Sequence, residues 1–95
     1  EEEESSFTER SLPLHSFPNP FSSSCTILYQ LDEASHVTLS VFDLSGRLIK
    51  TIADEFVPAG IYSENFDGSG LCSGVYLIRL RAGNAVTSKR CVVVR

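Results

Sequence analysis

The sequence has no tryptophan, no methionine, two histidines, and no acidic residue from Leu71 onward. No apolar run approaches the roughly 18 residues of a membrane-spanning helix, so no transmembrane segment is expected. Without an opening methionine, the chain reads as a piece of something longer. Cys-x-x-Cys spacing is absent and neither His15 nor His36 lies at ligand distance from a cysteine, which argues against zinc. Asp67-Gly68 is not followed by acids at alternate positions, so it reads as a turn and not a calcium loop. Phosphate-cradling and dinucleotide glycine motifs are missing. The serine of Gly70-Leu71-Cys72-Ser73-Gly74 stands out of order for a nucleophile elbow. Neither histidine has a fixed acidic neighbour in sequence. A nucleophile with a tuned partner is therefore missing, and we expect a non-catalytic domain with no cofactor and no metal.

What is present fits one small globular unit. The 95 residues are 42% hydrophobic and 21% charged. Size scaling leaves roughly 64% of the unfolded surface buried, enough for one two-layer core. The net charge of −4 equals the charge of Glu1, Glu2, Glu3 and Glu4, so the remainder is neutral but lopsided. The first seventy residues hold all twelve acids, whereas Arg79, Arg81, Lys89, Arg90 and Arg95 follow with none. Such a basic strip suits an anionic surface or an acidic receptor groove, or simply keeps wet strand faces soluble. It is too sparse, with too few interleaved aromatics, for nucleic acid.

The three cysteines, Cys25, Cys72 and Cys91, allow at most one bridge. Each lies among apolar or small residues, and three free buried thiols are expected. If a bridge forms, Cys25 and Cys91 are the first pair to test, since both fall in candidate strands.

Residues 1–11 read as an acidic and polar linker and residues 12–95 as the folded domain. From residue 12 the chain repeats one rhythm, short period-two alternation broken by Gly, Pro, Asn, Asp or Ser, which predicts an all-β sandwich. Strands are expected at 12–17, 25–31, 36–43, 48–52, 61–66, 75–81 and 85 to about 94. The first is an edge strand because of Pro13. In the third, Val37, Leu39 and Val41 face inward while Thr38 and Ser40 face water. Gly46 turns the chain after Leu44-Ser45, and Ala82-Gly83-Asn84 closes a hairpin. Pro18 and Pro20 stiffen the link between the first two strands. Tyr76 buries its ring and keeps its hydroxyl at a polar rim. Seven antiparallel strands in two sheets is the economical solution.

The closing segment Lys89-Arg90-Cys91-Val92-Val93-Val94-Arg95 is the most informative for function. A strand buries alternate residues, so either Cys91 and Val93 face the core and Val92 and Val94 lie outside, or the reverse. The outward set forms an apolar and basic stripe on which a partner can dock.

Four stretches in order carry a resemblance to a known module. They are Pro18-Asn19-Pro20-Phe21; Val37-Thr38-Leu39-Ser40-Val41-Phe42-Asp43-Leu44-Ser45-Gly46-Arg47; Ala59-Gly60 ahead of Leu71-Cys72-Ser73-Gly74-Val75-Tyr76-Leu77-Ile78-Arg79-Leu80; and the closing segment. Together they resemble the type A C-terminal sorting domain of the type IX (Por) secretion system, related to the Ig-like domain of the flagellar hook-capping protein. The resemblance implies a seven-stranded antiparallel Ig-like β-sandwich behind an N-terminal cargo domain. It implies a signal that takes the cargo through the periplasm and across the outer membrane of a Gram-negative bacterium, for surface attachment or release. Its implied partners are the type IX translocon and a surface sortase-like protease that cuts in the flexible lead-in. The implied recognition residues are Gly74, Tyr76, Lys89, Arg90, Val92, Val93, Val94 and Arg95. The alternatives are a structural Ig-like spacer beside an extracellular enzyme or adhesin, and an assembly domain like the hook cap.

Overall fold

The computed structural model describes residues 12–94. Seven strands follow one another: β1 (Leu14–Phe17), β2 (Ser24–Leu31), β3 (Ser35–Asp43), β4 (Leu48–Val57), β5 (Gly60–Asp67), β6 (Gly74–Ala82) and β7 (Ala85–Val93). They pair antiparallel in two sheets, β1-β2-β5 and β4-β3-β6-β7. This is the expected Ig-like sandwich, with β4 placed beside β3 in the larger sheet. The two sheets close on a core to which every strand contributes, and Ile27, Val37, Leu39, Val41, Ile78, Leu80 and Cys91 lose all solvent contact. Burial of each such aliphatic side chain is worth about 1.5–3 kcal/mol.

Alternation explains most of these strands. Cys25, Ile27, Tyr29 and Leu31 of β2 face inward, as do Tyr76, Ile78, Leu80 and Ala82 of β6. Aromatic pairs lock the sheets further. Phe21 meets Phe66 edge-on with centroids 5.8 Å apart, and Tyr29 stacks on Tyr62 at 5.4 Å. The hydroxyl of Tyr62 donates to the Pro58 carbonyl.

Two expectations fail here for local reasons. β4 runs to Val57, five residues beyond the expected end at 52. Its pairing with β3 contains irregularities between Leu39 and Ser40 and between Val41 and Phe42. Each takes one extra residue from β4, Ile52 and Ile49, so the alternation slips phase twice and the strand reads as ended before it is. Ser40, expected to face water, is buried. It lies on the outward side of β3 between Arg79 and Thr51, and Arg79 folds over the neighbouring Phe42 ring at 4.5 Å, covering it.

The β3–β4 turn depends on a carboxylate. Asp43 Oδ1 accepts from the Ser45 amide at 2.9 Å, the Ser45 hydroxyl at 2.6 Å and the Arg47 amide at 3.0 Å. These hydrogen bonds, the Ser45 hydroxyl first, hold its carboxyl below the usual carboxylate range. Gly46 completes the turn at φ +92°, a conformation that side-chain-bearing residues rarely adopt.

A candidate recognition surface on the closing strand

Strand β7 runs beside β6 from Ala85 opposite Ala82 to Val93 opposite Gly74. That register decides the alternative left open by the sequence. Cys91 and Val93 point into the core, while Val92 is half-buried and Val94 half-exposed. Val93 and Tyr76 are therefore packing residues. Tyr76 buries its ring and donates its hydroxyl to the Cys72 carbonyl at 2.8 Å. Gly74 opens β6 beneath them. Lys89 and Arg90 are exposed, and Arg90 stands opposite Leu77 on the outer face. Arg95 lies outside the described residues. The seven described residues thus split into Gly74, Tyr76 and Val93, which hold the strand, and the exposed Lys89, Arg90 and Val94 with half-buried Val92, which a partner can touch.

The free edge of β7 is closed from a distance. The Asn19 side-chain amide donates to the Arg90 carbonyl at 3.1 Å, and its oxygen accepts from the Val92 amide at 3.0 Å. Next along, the Phe21 amide donates to the Val92 carbonyl and the Val94 amide donates to the Phe21 carbonyl, both at 2.9 Å. The Asn19 amide thus imitates one strand residue and Phe21 supplies the next in parallel pairing with Val93. Further back, the Leu12 amide donates to the Thr87 hydroxyl at 2.8 Å. Sequence reasoning missed Asn19. Its one signal was an amide flanked by two prolines, and its partners lie more than seventy residues away.

Phe21, the other half of this clasp, is held by close packing. A Cβ on Gly68 would lie 2.9 Å from Phe21 Cε2, so the ring occupies the space a side chain there would fill. Asp67 Oδ1 accepts from the Ser69 amide at 2.9 Å, the turn role expected of it.

The cysteines are free, but only two are buried. Burial raises the Cys25 thiol, and burial with Cys25 nearby pushes Cys91 from 9.0 to about 11. Cys72, expected to be buried, is exposed. It lies in the β5–β6 loop, where its carbonyl is engaged by Tyr76 and its side chain is exposed.

Elsewhere the surface offers little chemistry. His36 Nε2 lies 2.6 Å from Asp54 Oδ1, a cross-strand pair invisible in sequence, and both side chains are more than half exposed at 58% and 62%. A shallow depression is lined by Pro13, His15, Leu28, Tyr29, Gln30 and Ile61. Among the described residues, no three His, Cys, Asp or Glu side chains converge as a metal site would need. No helix among them is long and apolar enough to cross a membrane.

Comparison with known proteins agrees with this geometry. A comparison with curated proteins returns no match. A family described as "Secretion system C-terminal sorting domain" matches residues 15–94, from the second residue of β1 to one residue beyond β7. Strands β2 to β7 lie wholly within that match, with all of β1 but Leu14 and the closing segment as far as Val94. The chain therefore belongs to the secretion system C-terminal sorting domain family, the C-terminal signals that direct a cargo protein across the outer membrane by type IX secretion to the cell surface or beyond.

Proposed function

We propose that the machinery reads this signal from the outer side of its closing strand, through Arg90, Val92 and Val94, together with Lys89, which is exposed at a core-side position of the same strand, while Cys91, Val93 and Tyr76 keep that strand in the fold. The observation that carries this reading is the clasp. Four hydrogen bonds from Asn19 and Phe21 fix the register of residues 90–94, so the exposed side chains stand in one arrangement. Pre-ordered side chains lose less entropy on docking than a loose tail would. Arg95 follows in the sequence and adds one more basic charge.

On this reading residues 12–95 are the sorting domain and a cargo domain precedes it. The cargo crosses the periplasm and outer membrane of a Gram-negative bacterium. A sortase-like surface protease cuts in the lead-in before residue 12, for attachment or release. The domain acts as a handle and performs no chemistry, and kinship with the hook-capping Ig-like domain lies in the scaffold.

The test is a periplasm-directed fluorescent protein fused ahead of residues 12–95 in a type IX-competent host. Deleting residues 89–95 is a poor probe, because it also strips Cys91 and Val93 from the core. The better variant is Arg90→Glu with Val92→Ser. Loss of surface display with an unchanged thermal midpoint supports the assignment. Display equal to that of the unaltered domain overturns it, and export that needs only an Ig-like spacer favours the alternative.

A further inference from the structure

The acid-free stretch from Leu71 onward builds β6 and β7, and their outward residues join those of β3 and β4 in one face. Across the strands, Leu48, Phe42, Leu77 and Arg90 form one row. Thr51, Ser40, Arg79 and Ser88 form the next, followed by Asp54, Thr38, Arg81 and Val86. Val75 and Val92 extend the apolar end. Among the described residues, Arg79, Arg81 and Arg90 have no carboxylate within ion-pair distance. Asp54, the acid on this face, is engaged by His36. The Arg79 guanidinium lies 4.5 Å over the Phe42 ring, which restricts its orientation. Three like charges beside an apolar strip, with no carboxylate partner among the described residues, repel one another and gain from an anionic partner.

We propose that this face docks an extended acidic segment of a partner protein, and that the segment carries two carboxylates followed at the same alternate spacing by two apolar side chains. The inference rests on the sorting function proposed above and names the chemistry its partner needs. Arg79 and Arg81 are two residues apart on one side of β6, about 7 Å along the strand. Carboxylates at i and i+2 of an extended chain have that same spacing. Guanidinium groups take carboxylates in pairs of parallel hydrogen bonds, with a directionality that a lysine lacks. Continuing along β6, positions i+4 and i+6 of the segment fall over Leu77 and Val75, where apolar side chains remove apolar surface from water. An anionic membrane is the weaker fit. Phe42, Leu77, Val75 and Val92 lie half-buried in the sheet surface, and the exposed Leu48, Phe56 and Val86 stand apart on the two outer strands of this sheet.

The probe is a labelled peptide, Glu-Ser-Glu-Ser-Leu-Ser-Val, titrated into the 95-residue protein, with a Gln-for-Glu version as control. The acidic peptide should bind about tenfold or more tightly than the control, with affinity falling as salt rises. Arg79→Gln with Arg81→Gln should remove that advantage at an unchanged thermal midpoint, whereas Lys50→Gln, off this face, should not. Equal binding of the two peptides, no binding of either, or full binding by the double variant overturns the proposal. So does tighter binding to phosphatidylglycerol vesicles than to the peptide, or self-association that the double variant abolishes. The display assay separates the two claims. If the double arginine variant displays the reporter normally, the acidic-segment inference falls and the sorting reading stands. If the unaltered domain gives no display, the reading beneath it falls.

Discussion

The four-stranded sheet ends in two edges that are protected in different ways. At β4 the edge is left open, but two pairing irregularities bend it and Lys50, Asp54 and Glu55 decorate it. Those devices make it a poor template for a stray strand. At β7 the edge is occupied, with Asn19 and Phe21 satisfying the backbone from Arg90 to Val94. One edge repels partners and the other is held shut. The difference teaches that the closing strand is fixed in place by a segment far from it in sequence.

The largest expected effect strikes the clasp through its core residue. Phe21→Ala removes a buried ring and its contact with Phe66, and should destabilise the domain by about 3–5 kcal/mol in chemical denaturation. Gly68→Ala should cost about 1–3 kcal/mol by forcing the same ring to move. Asn19→Ala should cost about 1–2 kcal/mol through two lost hydrogen bonds, with the loosening confined to residues 90–94 in exchange measurements. By contrast Glu55→Gln, at the open edge, should stay within about 0.5 kcal/mol of the parent. A β4 substitution that loosened the sheet as much as Asn19→Ala would erase the distinction between the edges.

A smaller effect is set by pH. The Cys91 thiol sits at about 11 in the fold against an ordinary 9.0, and the Tyr29 hydroxyl at about 12 against 10.0, both chiefly through burial. Above pH 9 the unfolded chain releases protons that the folded chain keeps. Stability is therefore full below that pH and erodes as pH rises toward 11. A thermal midpoint that held flat from pH 8 to 11 would contradict this. Thiol labelling at neutral pH gives a companion test: Cys72 should react at once, and Cys25 and Cys91 only on unfolding.

How much of this was legible in the sequence varies by element. β2 and β6 were readable because each buries every second side chain, β3 and β7 kept enough of that alternation despite buried Ser40 and exposed Lys89, and the closing segment stood out by its charge and its β-branched run. β4 was misjudged in length because Ile49 and Ile52 enter the bulges and break period two. Cys72 was misplaced because apolar neighbours in sequence are not neighbours in a loop. Which face of β7 is wet follows only from its pairing with β6, and Asn19 acts on residues that no local pattern connects to it. The arginine face likewise needs the register of four strands before Arg79, Arg81 and Arg90 come together.

The central claim is that residues 90–94 are a clamped part of the sandwich. Native-state hydrogen exchange at the Val92 and Val94 amides tests it most directly. The account predicts protection at both, falling about tenfold or more in Asn19→Ala while the β3 amides hold. Exchange of these two amides at free-peptide rates in the unaltered domain would contradict it.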